Sequence, residues 1–193
     1  MGRSVLELEQ LAWIGHYMDP PYGLSSNVHL APPGGASTGV SVSANTIYAA
    51  RVFVAKPRTF TVLGCNVQSA GFGASSTARM AICNHSHTTD APSDIVLDAG
   101  TIAVDATGLK TYTISQYLGT GLYWLLWQTG GSGGQLTFST AGHQPLGKAI
   151  VSTSNHGSLQ YLSRASTYGA YSSQAGASWT LVHNSPSPLF FMR

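Results

Sequence analysis

The chain has 193 residues, enough for one domain of ordinary size with an appendage and a sizeable buried core. Charged residues make up 8% and hydrophobic ones 43%, so a disordered chain is excluded by apolar content. A net charge of +2 on scattered Lys and Arg gives no footprint for nucleic acid, and no apolar run approaches the roughly 20 residues of a spanning helix.

Typical soluble domains carry roughly a quarter charged residues. Here Gly, Ser, Thr, Ala and Asn replace them, which leaves a neutral, hydroxyl-rich surface. Such a surface suits a stable assembly or contact with polysaccharide.

Ser4 to Ile14 carries a capping-box pattern, Ser4 with Glu7, and then Leu8, Leu11 and Ile14 at helical spacing. Gly15 can end that helix and Pro20-Pro21 forbids its resumption. About ten residues do not hold a helix alone in water, so Leu8, Leu11 and Ile14 are expected to dock on another chain. The segment does not read as a secretory leader, since Glu7 and Glu9 interrupt its apolar residues. From Asp19 to Ser43, Pro20-Pro21, Pro32-Pro33-Gly34-Gly35 and a Ser/Thr/Gly tract read as an extended arm. Residues 1–43 thus form an attachment or oligomerisation arm, ahead of a domain over 44–193.

From Ala44 onward, short strands alternate with turn signals, the pattern of an all-β domain. Strands are expected at Thr46–Val54, Thr59–Gln68, Thr77–Cys83, Val96–Val104, Thr111–Ser115, Leu122–Gln128, Gln135–Ser139, Leu159–Ala165, Ser178–Val182 and Leu189–Met192. Sheets of this kind must bury one face, so an antiparallel two-sheet sandwich follows. Leu63, Cys65 and Val67 share one face of their strand. Ala78, Met80 and Ile82 share the apolar face of the next, which sends Cys83 to the other side with Arg79. The only two cysteines are therefore free thiols that need no oxidising compartment.

Leu122 to Gln128 is apolar on both faces. Leu122, Trp124 and Leu126 point one way; Tyr123, Leu125 and Trp127 point the other. One face belongs in the core. The second must be dry too, under the C-terminal segment of the same chain or against a second copy, and Tyr123, Leu125 and Trp127 are the interface candidates.

The strand series resembles a known family. Ala44-Asn45-Thr46-Ile47-Tyr48-Ala49 opens it, followed by Arg58-Thr59-Phe60-Thr61-Val62-Leu63-Gly64 and Ala78-Arg79-Met80-Ala81-Ile82-Cys83. Leu97-Asp98-Ala99-Gly100-Thr101-Ile102 then leads through Thr107-Gly108 to Tyr112-Thr113-Ile114 and Gly121-Leu122-Tyr123-Trp124-Leu125. This order is similar to the jelly-roll domains of fibre, spike and head-decoration proteins of tailed bacteriophages and related particles, over about Ala44 to Gln128. The resemblance implies a jelly-roll sandwich on a virion, a homo-oligomer such as a trimer, residues 1–43 bound to other virion proteins, and contact with host-surface polysaccharide. The loop Asn84-His85-Ser86-His87 departs from that pattern, and the N-terminal arm has no counterpart in it.

No catalytic constellation is complete in the sequence, so no enzyme and no cofactor are expected. Gly130-Gly131-Ser132-Gly133-Gly134 matches the G-x-S-x-G pattern, which needs a helix after the serine; a strand follows here, and a glycine-rich hairpin is the better reading. Asp94 and Asp98 lie close in sequence, but turn chemistry accounts for them. His85 and His87 would face one side of an extended segment and supply only two nitrogens, so no metal site is assigned. His143, His156 and His183 are dispersed. Arg164, Tyr168 and Tyr171, set among small residues, form the candidate carbohydrate surface, since sugars pack C–H groups on tyrosine rings. A carbohydrate-binding module of a surface polysaccharide system is the alternative to the virion role.

Overall fold

The computed structural model describes residues 36–54, 56–69, 71, 73, 76–131, 134–139, 161–182, 187–188 and 190–192. The expected N-terminal helix, with Leu8, Leu11 and Ile14, lies outside the described residues, as do Ser132, His143, His156 and His183. What is described is all-β, in two antiparallel sheets.

The strands are β1 (Ala36–Ser41), β2 (Thr46–Val54), β3 (Arg58–Ser69), β4 (Thr77–Ser86), β5 (Ala91–Ala103) and β6 (Gly108–Leu118). They continue with β7 (Gly121–Thr129), β8 (Gln135–Ser139), β9 (Tyr161–Ala165), β10 (Thr180–Val182), β11 (Ser187–Pro188) and β12 (Phe190–Met192). Of the expected strands, Thr46–Val54 and Gln135–Ser139 match to the residue, and the others differ at their ends. β1 is an addition. It falls inside the segment read as arm, because Ala-Ser-Thr-Gly-Val-Ser has the composition of a linker. It pairs with β8 along its length, and Val42 behind it is buried in the core. The sandwich therefore begins before Ala44.

One sheet runs β1-β8-β3, with β6 on β3's other side and β12 and β11 pairing β3 and β8. The second runs β10-β9-β2-β7-β4-β5. Across both sheets the first eight strands pair β1 with β8, β2 with β7, β3 with β6 and β4 with β5. A strand ribbon folded at its middle and wound over two layers produces that pattern.

Alternation decides what lies between the layers. Tyr48, Ala50, Val52 and Val54 from β2, Ala78, Met80 and Ile82 from β4, and Leu125 and Trp127 from β7 face Phe60, Leu63, Cys65 and Val67 from β3 and Tyr112 and Leu118 from β6. On β3 the register shifts between Phe60 and Val62. The buried set accordingly changes parity from Phe60 to Leu63.

The expectation that Leu125 and Trp127 contact a second copy does not hold. Both are fully buried between the sheets of one chain, and Tyr123 packs partly buried against the same core. Leu125 and Trp127 have no surface left for a neighbour, so their assignment to an interface is corrected, while Tyr123 keeps part of its surface. Cys65 faces the inter-sheet core and Cys83 the opposite side of the second sheet, both free, as the alternation requires.

Candidate functional site

The second sheet has another apolar face. Ile47 and Ala49 of β2, Ala81 and Cys83 of β4, Trp124 and Leu126 of β7, and Leu162 of β9 form it. Tyr171, Trp179 and Leu181 pack on it, so the chain's own C-terminal segment covers this face. The pairing registers set out its rows: Arg164, Ile47, Gln128 and Arg79 stand side by side, and the row two residues on contains Leu162, Ala49, Leu126 and Ala81. Two further on are Arg51, Trp124 and Cys83. The middle is apolar, and each end carries an arginine.

Residues 166–179 form a strap with little regular structure, held by side chains. Asn45 sits in the left-handed region with φ 52°, which asparagine tolerates better than most residues. Its carbonyl accepts from the Ser166 N–H at 2.8 Å and its side-chain oxygen from the Tyr168 N–H at 3.0 Å. The Gln128 amide donates to the Ser166 carbonyl at 2.6 Å. Tyr168 lies over Gly130, where a Cβ would come within 3.4 Å of its ring, and its hydroxyl is 2.8 Å from Thr77 Oγ1.

Tyr171 goes deeper. Its hydroxyl donates to the Arg79 carbonyl at 3.0 Å, and its N–H donates to Asp98 Oδ2 at 3.2 Å. Burial raises the Tyr171 pKa well above the ordinary phenol value, with Tyr112, Asp98 and Cys83 adding to it. Arg79 Nη2 reaches Asp98 Oδ2 at 2.7 Å, and the Gly100 N–H donates to Asp98 Oδ1 at 2.9 Å. Burial pushes the Asp98 carboxyl up, but Arg79 and the two N–H donors outweigh it and leave its pKa lowered. Further along, the Gln174 N–H donates to the Ser93 carbonyl at 2.8 Å and Ser173 Oγ to Asp94 Oδ1 at 3.1 Å. Asp94 and Asp98, the two close acids, are thus anchor points for the strap.

At the other end, Arg51 is an arginine in an otherwise apolar strand. Its side chain is 4% exposed, lies 4.7 Å over the Trp124 ring, and pairs with Asp90. Asp90 closes the β4–β5 turn with φ 51°. Burial lowers the Arg51 pKa against the attraction of Asp90. Trp124 Nε1–H donates to His85 Nδ1 at 3.1 Å, and His85 Nε2 is 3.7 Å from Asp90 Oδ1. The bond from Trp124 leaves the His85 proton on Nε2, facing the carboxylate. The His85 and His87 rings are 4.8 Å apart, on one side as expected. Among the described residues no group of three His, Cys, Asp or Glu is placed to hold a metal.

The three expected sugar contacts do not converge. Tyr168 and Tyr171 bond to β4 residues two apart, whereas Arg164 stands on β9, three strands away in the row of Arg79. That is roughly 14 Å at the usual strand spacing. Arg164 lies 5.6 Å over Trp179, an aromatic partner the sequence reading did not include. Both tyrosine hydroxyls are engaged within the chain. The thiols offer no nucleophile: burial pushes Cys65 up to about 12, and burial and Asp94 raise Cys83 further. The glycine-rich stretch before β8 joins strands of different sheets, so it is a crossover and not the expected hairpin. The grouping of Arg51 with Asp90 and Trp124 is not legible from spacing; a lone arginine inside an apolar strand is the available signal.

A scan against protein-family models finds no match, and no curated protein matches the chain.

Proposed function

We propose that this chain is a structural component of a phage or phage-like virion, a fibre, spike or head-decoration protein built on a jelly roll. The observation that supports it most is the pairing of β1 with β8, β2 with β7, β3 with β6 and β4 with β5, the wrapping order of a jelly roll, which is common in capsid and lectin domains. In this reading the role is structural, and the buried charges of the second sheet brace the strap and the β4–β5 turn. The residues ahead of β1 hold the chain to other virion proteins. The assembly is a homo-oligomer, with three copies the first expectation, and its outward partner is host-surface polysaccharide. Sedimentation of the full chain at micromolar concentration, followed by images of particles labelled with an antibody against it, tests this. Oligomers and labelled particles are expected; a clean monomer absent from particles would end the reading.

One observation favours the second reading, a carbohydrate-binding module. Trp179 and Arg164 are only partly buried, beside the β9–β10 pair, and an aromatic ring with a neighbouring guanidinium can receive a sugar. Glycan-array binding by a monomer, lost on Trp179→Ala, would favour the module.

A further inference from the structure

We propose that strand β6 pairs with β6 of a second copy about a two-fold axis through Thr113, joining two sandwiches edge to edge. This goes beyond the reading above, since a two-fold contact builds even-numbered assemblies: a dimer, or a hexamer where three copies also meet elsewhere.

Four observations carry it. First, among the described residues β6 pairs only with β3, so its other edge has no strand beside it. Second, the large hydrophobics exposed among the described residues are Leu109, 63% exposed, and Tyr117, 62% exposed, and both are on β6. Isolated exposed apolar residues are ordinary, but two at the ends of one open edge strand mark a contact.

Third, the strand is self-complementary. Its odd residues from Leu109 to Tyr117 are exposed, and its even residues are buried or partly so. In an antiparallel pairing centred on Thr113, Leu109 of one copy lies opposite Tyr117 of the other, and Thr111 opposite Ser115. Tyr112 meets Ile114, so the inner faces continue as well. Odd meets odd and even meets even, and each face of the sheet passes unbroken into the neighbour. A contact in which a residue meets its counterpart's partner and is met in return is what two-fold symmetry demands.

Fourth, charge permits it. β6 carries one charged residue, Lys110, and no acid. The register sets Lys110 opposite Gln116 of the other copy, so like charges do not meet. Natural edges are commonly protected by proline or several charges, and β6 has no proline and a single lysine. The irregular register against β3 falls between Thr113 and Gln116. Leu109 and Tyr117 stack across strands at both ends of the contact.

A cysteine placed on the axis reports the register. Residue 113 faces its own copy at a Cα separation of about 4.5–5.5 Å, within disulfide reach. Both native thiols are buried and stay out of the reaction. The full-length Thr113→Cys chain, treated with copper–phenanthroline and run without reductant, is expected to form a covalent dimer. Ser115→Cys, whose counterpart lies four residues along the strand, is expected to cross-link at least tenfold more slowly. Tyr117→Lys in the wild-type background should halve the mass measured by sedimentation. No dimer from Thr113→Cys, equal rates for the two cysteines, or a mass unchanged by Tyr117→Lys would each overturn the pairing. A trimer that ignores all three substitutions would overturn it while leaving the oligomeric virion reading intact.

Discussion

Asp98 shows how a nearly uncharged chain uses the charges it has. It accepts from Arg79, Gly100 and Tyr171 at once, tying β4, β5 and the strap to one carboxylate. Because its folded pKa is depressed, its stabilising contribution is complete above the unfolded value of about 3.9 and disappears as pH falls from there through the folded pKa. Thermal melts across this window should show Asp98→Asn less stable than wild type at pH 7 and flatter on the acid limb; parallel limbs for the two chains would remove this role. Arg51 is the second such residue. Replacing it with Met keeps apolar contact but removes the charge facing Asp90 and the Trp124 ring. Loss of one partner of a largely buried pair costs about 3 kcal/mol or more, lowered here because Asp90 is partly exposed. Denaturant unfolding should show Arg51→Met destabilised by roughly 1–3 kcal/mol, and an unchanged midpoint would mean that the pair is balanced by its own desolvation.

At the scale of elements, two-sided burial sets β2 and β7 apart. The alternation of Leu122 to Trp127 made both faces legible in the sequence. It could not say which face meets the other sheet, because each carries a tryptophan and at least one leucine. The structure sends Trp127 to the inter-sheet core and Trp124 to the strap side. That choice depends on partners far along the chain, above all Tyr171 and Trp179. The free thiols were legible for the same reason that β1 was not: period-two alternation survives in Leu63-Gly-Cys65-Asn-Val67, whereas Ala36 to Ser41 has almost no apolar pattern to read. The tyrosine pair was legible as a feature but its hydroxyl partners were not, since Thr77 and the Arg79 carbonyl are some 90 residues away in sequence. The strap makes a measurable claim. Cys83 lies beneath it and Cys65 does not, so Tyr171→Ala should speed labelling of Cys83 by a thiol reagent at least tenfold and leave Cys65 silent. Equal labelling of both would indicate global unfolding in place of a loosened strap.

For the whole molecule, the decisive question is where the sandwich starts. Composition put the boundary at Ala44, yet β1 ahead of it pairs with β8 from Ala36↔Ser139 to Ser41↔Gln135. Val42 is 2% exposed, and its N–H donates to the Gly134 carbonyl at 3.2 Å. The Ser43 N–H donates to the buried Tyr48 hydroxyl at 2.8 Å. A chain beginning at Ala44 loses all of this and uncovers one edge of β8. Burial of the valine alone is worth about 1.5–3 kcal/mol, and the strand hydrogen bonds add to it, against a total stability of about 5–15 kcal/mol. A chain beginning at Ala36 keeps every one of these contacts. It is expected to melt cooperatively as a β protein within a few degrees of the full chain, while the Ala44 chain melts at least 10 °C lower or aggregates through the uncovered edge. If both truncated chains melt together, β1 contributes nothing and the boundary read from composition stands. If the Ala36 chain also collapses, residues 1–35 support the sandwich itself and cannot serve only as its attachment to a particle.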